Sequence, residues 1–288
     1  MPKVQIITDS AATIDAEVAR ELDIMIVPLV VRVRGRDYRD GVDLTAEELL
    51  LNMASERLRP KVVGPTSEQF LELYTQQTRS TNQLISLHSS GSLSPVYREA
   101  RRAAREFLGR CDIMVMDSET VSLGLGILVE AAARMAQENV PLAEIVRELR
   151  GMIRRVYIVM VTDTLDYLEH NRLISPAQAI LGTMLDVKPF LSIEEGKIVP
   201  IEKVRSRERA IDKIAEFASE FSRIERMAIL QSTPYATEET KMLRDRLELV
   251  APGHDMPILL YGPVLASHIG PDGIGLVVYE GTRRGLGY

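Results

Sequence analysis

Four short apolar runs in the first half of the chain constrain its fold most: VQIIT (4–8), IMIVPLVVRV (24–33), QLISLH (83–88) and CDIMVM (111–116). Runs this short, mainly apolar and bounded by polar turns, fit buried strands. Helices follow them. Thr45-Ala46-Glu47-Glu48 and Thr66-Ser67-Glu68-Gln69 read as capping boxes. Ser94-Pro95 reads as an N-cap followed by proline at the first helical position. That helix, PVYREARRAAREFL, stops at Gly109, a residue suited to a C-cap. A further helix starts near Ser122 and runs through LVEAAARMAQE. Strands alternating with helices predict a mostly parallel sheet covered by helices.

The second half begins with VYIVMV (156–161) and mixes its signals. A helix is expected around 163–169, and Ser175-Pro176 opens another. PFLSIEEGKIVPIEKV (189–204) reads as a hairpin turning at 194–196. RERAIDKIAEFASEFSRI reads as a long helix. RMAILQ (226–231), a helix near 237–248, PILLY (257–261) and GLVVY (275–279) complete it. The expected fold class is therefore a two-domain α/β protein, with a mostly parallel N-terminal sheet and a mixed second domain. Residues 1–156 form an N-terminal α/β domain with a small β insertion near 25–45, and residues 157–288 a mixed α+β domain. The boundary near 150–160 has no Pro/Gly/Ser-rich linker, which predicts close packing of the two halves.

Composition excludes several function classes. A net charge of −6 over 288 residues argues against nucleic acid, which demands a basic footprint, and against an anionic membrane surface. The longest apolar run, residues 24–31, is far shorter than the roughly 20 residues of a membrane span. The N-terminus enters a strand directly without a signal peptide, so a cytoplasmic location is expected. The one cysteine, Cys111, sits in an apolar run and reads as a buried thiol. Among catalytic signatures, HExxH, GxSxG and GxxxxGK[ST] are all absent. His88, His170, His254 and His268 are scattered, with no paired-ligand spacing for zinc. GLG at 124–126 reads as close helix packing.

Hydroxyls and carboxylates gather at strand ends: Thr8-Asp9-Ser10, His88-Ser89-Ser90-Gly91 and Asp117-Ser118-Glu119-Thr120. In open parallel sheets, ligands bind beyond the carboxyl ends of the strands. The same residue types also cap helices, so most of these positions admit either role. Ser94 stands out because it follows a Ser-Ser-Gly loop and opens a helix, where amides and dipole favour an anion. His268 lies between an apolar run and a Gly-Pro-Asp-Gly turn. A Ser94–His268 pair assembled in space leaves open a hydrolase or phosphotransferase with His268 as general base.

Several segments, taken in order, resemble one known family. They are TDSAATI (8–14), VPLVV followed by YRDGVDL (38–44), GPTSEQFLELY (64–74), SSGSLSPVYREA (89–100), DSETVSLGLGILVEAA (117–132), LDYLEHNRLISPAQAILGTMLDVKPFLSIEEGKI (165–198) and GPVLASHIGPDGIGLVV. Together they resemble the DegV family of bacterial fatty-acid-binding proteins, several of which serve as the lipid-binding subunit of a fatty acid kinase. The resemblance implies a non-catalytic carrier that needs no cofactor or metal. It would hold a long-chain fatty acid, such as palmitate, in an apolar tunnel between two domains. It also implies that Ser94 and His268 contact the carboxylate, with Ser90 and Gly91 shaping the loop beside them. Three departures stand out. Val62 and Val63 replace an expected Thr-Ser, and Pro95-Val96 replaces Gly-Thr. Asn171-Arg172-Leu173-Ile174 occupies a Gly-Gly-Arg-Ile stretch tied to the kinase partner. That last change weighs on Arg172 as a partner contact more than on ligand binding. Asp272 stands where the family usually has glycine.

Overall fold

The computed structural model describes residues 3–185 and 187–282. Its first half contains β1 (Gln5–Asp9), α1 (Ala16–Glu21), β2 (Ile24–Val27), β3 (Val30–Val33), β4 (Arg36–Arg39), α2 (Ala46–Glu56), β5 (Lys61–Val62), α3 (Ser67–Gln77), β6 (Gln83–His88), α4 (Val96–Ala104), β7 (Asp112–Asp117), α5 (Ser122–Gln137) and α6 (Leu142–Ile153). The second half contains β8 (Val156–Val161), α7 (Asp166–His170), α8 (Pro176–Met184), β9 (Lys188–Glu194), β10 (Lys197–Val204), α9 (Arg207–Ser219), β11 (Ile224–Gln231), α10 (Glu238–Val250), β12 (Ile258–Leu260), α11 (Pro263–Ile269) and β13 (Ile274–Glu280).

The first sheet is wholly parallel, in the order β2-β1-β6-β7. The second is mixed, in the order β10-β9-β8-β13-β11-β12, with only β11 and β12 parallel. A third, small sheet orders β4-β3-β5. The α/β class expected from the apolar runs is thus present. Both capping boxes form: Thr45 with Glu48, and Thr66 with Gln69.

Three readings change. The run 24–33 is two strands in two sheets, because Pro28 carries no N–H and interrupts the ladder. Ile24–Val27 pairs with β1, whereas Val30–Val33 pairs with β4 and β5. Helices α6 and α11 are not among the expected elements. Both start without a side-chain cap, at Pro141 and Gly262, and α11 is an apolar stretch of only seven residues. Cys111 is half-buried against the core rather than buried.

Period-2 alternation in the second sheet makes two cores. Val159, Val161, Phe190, Ile229, Leu276 and Val278 point to a face covered by α9 and α10. Ile158, Met160, Leu191, Leu230 and Val277 point the other way and join the core of the first sheet. Helix α5 lies between the sheets, in contact with β1, β8 and β13. It is buried along most of its length. A single apolar layer therefore runs from one sheet to the other, as the missing linker predicts.

The GLG reading holds. A Cβ on Gly124 would meet Thr120 Oγ1 and Val156 Cγ1 at 2.5 Å, and one on Gly126 would meet the Thr13 carbonyl oxygen at 2.1 Å.

Candidate functional site

The carboxyl ends of β1, β6 and β7 deliver their polar residues to one place, as parallel neighbours in register must. Asp9 is fully buried and accepts four hydrogen bonds. Its Oδ2 takes the Ser89 amide at 2.9 Å, the Ser89 hydroxyl at 3.2 Å and His88 Nδ1 at 3.1 Å. Its Oδ1 takes the Ala11 amide at 3.0 Å. The chain continues behind His88: Nε2 lies 2.6 Å from Ser86 Oγ, and the Tyr74 hydroxyl donates to Ser86 Oγ at 2.8 Å. Tyr74, Ser86, His88 and Asp9 are all closed to solvent. The network therefore fixes the loop 89–94 rather than meeting a substrate. The strand-end pattern pointed to this place, but not to the wiring.

That loop carries three of the expected site residues. The Ser90 hydroxyl donates to the Gly196 carbonyl at 2.6 Å, so it ties the first sheet's loop to the β9–β10 turn. Its donor is taken, which leaves Ser90 a shaping role. The Gly91 amide donates to the Asp117 carboxylate at 3.1–3.2 Å. A side chain at Gly91 would strike Asp117 Oδ2 at 2.8 Å and Tyr97 at 2.9 Å. Ser94 is 4% exposed. Its Oγ accepts the Val96 amide at 3.3 Å. Helix α4 is assigned from Val96, with Pro95 as N-cap, so it starts one residue later than the Ser94-Pro95 signal suggests. Among the described residues, no acceptor takes the Ser94 hydroxyl proton.

His268 arrives from the second half. It is half-buried in the last turn of α11. Its Nδ1 lies 2.8 Å from the Val264 carbonyl and 3.1 Å from Ser267 Oγ. A carbonyl only accepts, so Nδ1 carries the proton and the neutral ring presents a lone pair at Nε2. Burial pushes the imidazole below its ordinary value, opposed by the Val264 hydrogen bond. Among the described residues, no carboxylate stands behind this ring, unlike the base of a hydrolytic triad.

The segment 61–64 lies between the two elements that carry these groups. Helix α11 packs against β5 and against α2. Gly64, with φ +67, lies against Pro95 and Val96 at the start of α4. Val62 is buried in β5 opposite Val31. It adds apolar surface where a hydroxyl was expected on the resemblance.

The turn after His268 is held from several sides. The Tyr261 hydroxyl donates to the Gly270 carbonyl at 2.8 Å and accepts the Gly273 amide at 3.0 Å. Asn171 Nδ2 donates to the Tyr167 and Ser267 carbonyls, both at 2.8 Å, so it ties α7 to α11. Asp272 accepts from Thr162 Oγ1 and from the Thr164 amide. Burial raises its carboxyl above the usual range, with the Thr162 hydrogen bond opposing. Both of its hydrogen bonds thus go to the loop after β8. Arg172 is exposed at φ +59, and among the described residues its side chain has no ion pair.

An open groove of about 970 Å³ lies elsewhere, lined by Glu119, Tyr157, Phe190, Glu194, Glu202 and Phe217 among others. It contains none of the residues above, and its glutamates would repel an anion. Among the described residues, no group of three His, Cys, Asp or Glu side chains could hold a metal ion. No described helix is long and apolar enough to cross a membrane.

The family model described as "Uncharacterised protein, DegV family" matches residues 3–281. The chain belongs to the DegV family. A DegV domain-containing protein from Deinococcus radiodurans is 32% identical, covering 96% of this chain and 98% of its own length. A solved structure of a fatty-acid-binding DegV family protein from Thermus thermophilus is 29% identical. It covers 96% of this chain and 99% of its own, with a TM-score of 0.82. DegV from Bacillus subtilis, solved as a fatty acid binding protein, is 26% identical and covers 97% of this chain and all of its own, also with a TM-score of 0.82. Within this DegV fold, Asn171 fastens the helix that carries His268.

The DegV segment YRDGVDL supplies a pH-sensitive group. Asp40 is buried at 7% exposure and accepts from Ser10 Oγ at 2.6 Å. Burial, followed by the charge of Asp9, raises its carboxyl to about 6, against the Ser10 hydrogen bond. A raised acid favours the protonated form in the fold. Its contribution is therefore full below pH 4 and is lost as pH rises to about 6. Asp40→Asn is expected to remove that loss and raise stability at pH 7 by about 2–3 kcal/mol. Urea unfolding of both proteins at pH 4.5 and pH 7 measures it, and an equal difference at the two pH values would contradict it.

Proposed function

We propose that this protein binds a long-chain fatty acid, of which palmitate is an example, and carries it without transforming it. The head group lies at Ser94 and His268, and the acyl chain runs in the apolar layer between the sheets. One observation carries the reading: buried Ser94 keeps an unclaimed hydroxyl proton and His268 an unclaimed Nε2, and the segment 61–64 touches both the start of α4 and α11, the elements that carry them, beside a continuous apolar core. The fatty acids held by the relatives from Thermus thermophilus and Bacillus subtilis support the same reading. Physically, each buried methylene contributes about 0.8 kcal/mol, so the tail supplies most of the affinity. The head group needs only hydrogen bonds in a nearly dry site.

Ser94→Ala and His268→Ala are each expected to weaken binding of palmitate by about 1–3 kcal/mol, the cost of one unpaired buried polar partner. Fluorescence displacement titrations measure this. Unchanged affinity in both variants would move the head group elsewhere. Presentation to a kinase is a separate step. With Asn171 bonded into α7 and α11, and both expected glycines missing, little or no acyl phosphate is expected with a standard fatty acid kinase. Robust phosphorylation would contradict that expectation.

A further inference from the structure

We propose that the head-group site accepts its fatty acid as the neutral carboxylic acid, so that binding from neutral solution takes up one proton. The proposal rests on the carrier reading above and specifies the form of ligand that the site selects.

The hydrogen-bond inventory carries it. Ser94 offers one donor, because its oxygen already accepts the Val96 amide while its proton is unclaimed. His268 offers one acceptor, because Nδ1 points its proton at the Val264 carbonyl 2.8 Å away. A protonated carboxyl group presents one acceptor, its C=O, and one donor, its O–H. The two sets match pair for pair. A carboxylate presents acceptors only, so one of its oxygens would face the Nε2 lone pair.

The surroundings do little to favour an anion. Pro95, at the start of α4, has no amide proton, and the next amide, Val96, is taken by Ser94. The two positions that follow Ser94 at the helix start thus offer no free amide to an anion. The ionisable groups on the elements packed against α11 are Lys61 of β5, Glu47, Glu48 and Glu56 of α2, and Asp166, Tyr167, Glu169 and His170 of α7. Of these, Glu48 bonds Thr45, Glu56 pairs with Arg34, and Asp166 pairs with Arg59. The Tyr167 hydroxyl donates to the Leu58 carbonyl. None forms an ion pair or hydrogen bond with His268 or Ser94. Burial, which pushes the imidazole below its ordinary value, disfavours charging the ring.

The proton balance is simple. Above pH 7.5, a free carboxyl with an ordinary value near 4.3 and a free imidazole near 6.5 are both unprotonated. Forming the O–H···Nε2 bond therefore draws one proton from the buffer, and the dissociation constant should rise about tenfold per pH unit.

Calorimetric titration of the full chain with palmitic acid, in buffers of different ionisation enthalpy at pH 8, reads the uptake. The expected result is about one proton per ligand. Hexadecanol, whose hydroxyl also donates to Nε2, should bind with none and with a flat pH profile. His268→Gln, whose amide can donate to a carboxylate, should bind palmitate with no uptake. Carboxyl-labelled ¹³C palmitate should give the chemical shift of a protonated acid when bound. Tight binding without proton uptake would overturn the proposal and leave the carrier reading standing. Uptake with a carboxylate shift would place the proton on the ring and overturn the neutral-acid form. Uptake that persists in His268→Gln would overturn the role of His268. Failure of palmitate and hexadecanol alike to bind would overturn both readings.

Discussion

Asp9→Ala is expected to cost about 3–5 kcal/mol of folding stability. The side chain is sealed at the end of β1 and is the acceptor for the Ala11 amide, the Ser89 amide and hydroxyl, and His88 Nδ1. Truncation leaves all of these donors buried without a partner. Each unsatisfied group costs about 1–3 kcal/mol, and breaking a buried pair by removing one partner costs about 3–5 kcal/mol. Non-additivity within a network keeps the total near the second figure. For a chain of this size the thermal midpoint should fall by roughly 10 °C. Asp9→Asn keeps one acceptor and should lose about half as much. Thermal and urea unfolding of the three proteins check it. A loss below about 1 kcal/mol for Asp9→Ala would mean that the loop 89–94 is held some other way.

Gly126→Ala should also cost about 3 kcal/mol or more, although alanine is the better helix former. The added methyl would sit 2.1 Å from the Thr13 carbonyl oxygen and 3.0 Å from its carbon. Backbone cannot rotate aside as a flexible side chain can, so α5 or the loop after β1 must shift. Overpacking of this kind typically costs about 1–3 kcal/mol, and more where backbone is involved. Because α5 lies between the sheets, the shift would loosen the layer proposed to hold the acyl chain. Gly151→Ala is the control. That position in α6 has nothing within 4 Å of the new methyl, and relief of the glycine penalty should add about 0.5–1 kcal/mol. Equal effects of the two substitutions in denaturant titrations would contradict the packing argument.

Local chemistry explains what the sequence disclosed. QLISLH and VYIVMV coincide with β6 and β8, because a buried parallel or central strand needs a short, mainly apolar run. Thr45 and Thr66 marked helix starts because their hydroxyls and the third residues on exchange hydrogen bonds with the backbone. The Asp9–His88 bond was not legible. The two residues are 79 positions apart, and only the pairing of β1 with β6 brings them together. The same holds for Ser90 and the Gly196 carbonyl, 106 positions apart. His268 drew attention by its rarity and its turn. Its tautomer, however, depends on α11, a helix without a cap signal, whose Val264 carbonyl fixes Nδ1. Asp272 left a question in the sequence that its partners address, since its carboxylate accepts hydrogen bonds from Thr162 Oγ1 and the Thr164 amide.

Native mass spectrometry of the purified chain, with lipid extraction of the same sample, tests the central claim most directly. The account predicts one long-chain fatty acid per chain, or uptake of one added palmitate per chain after delipidation. An unliganded chain that takes up no added fatty acid would contradict it.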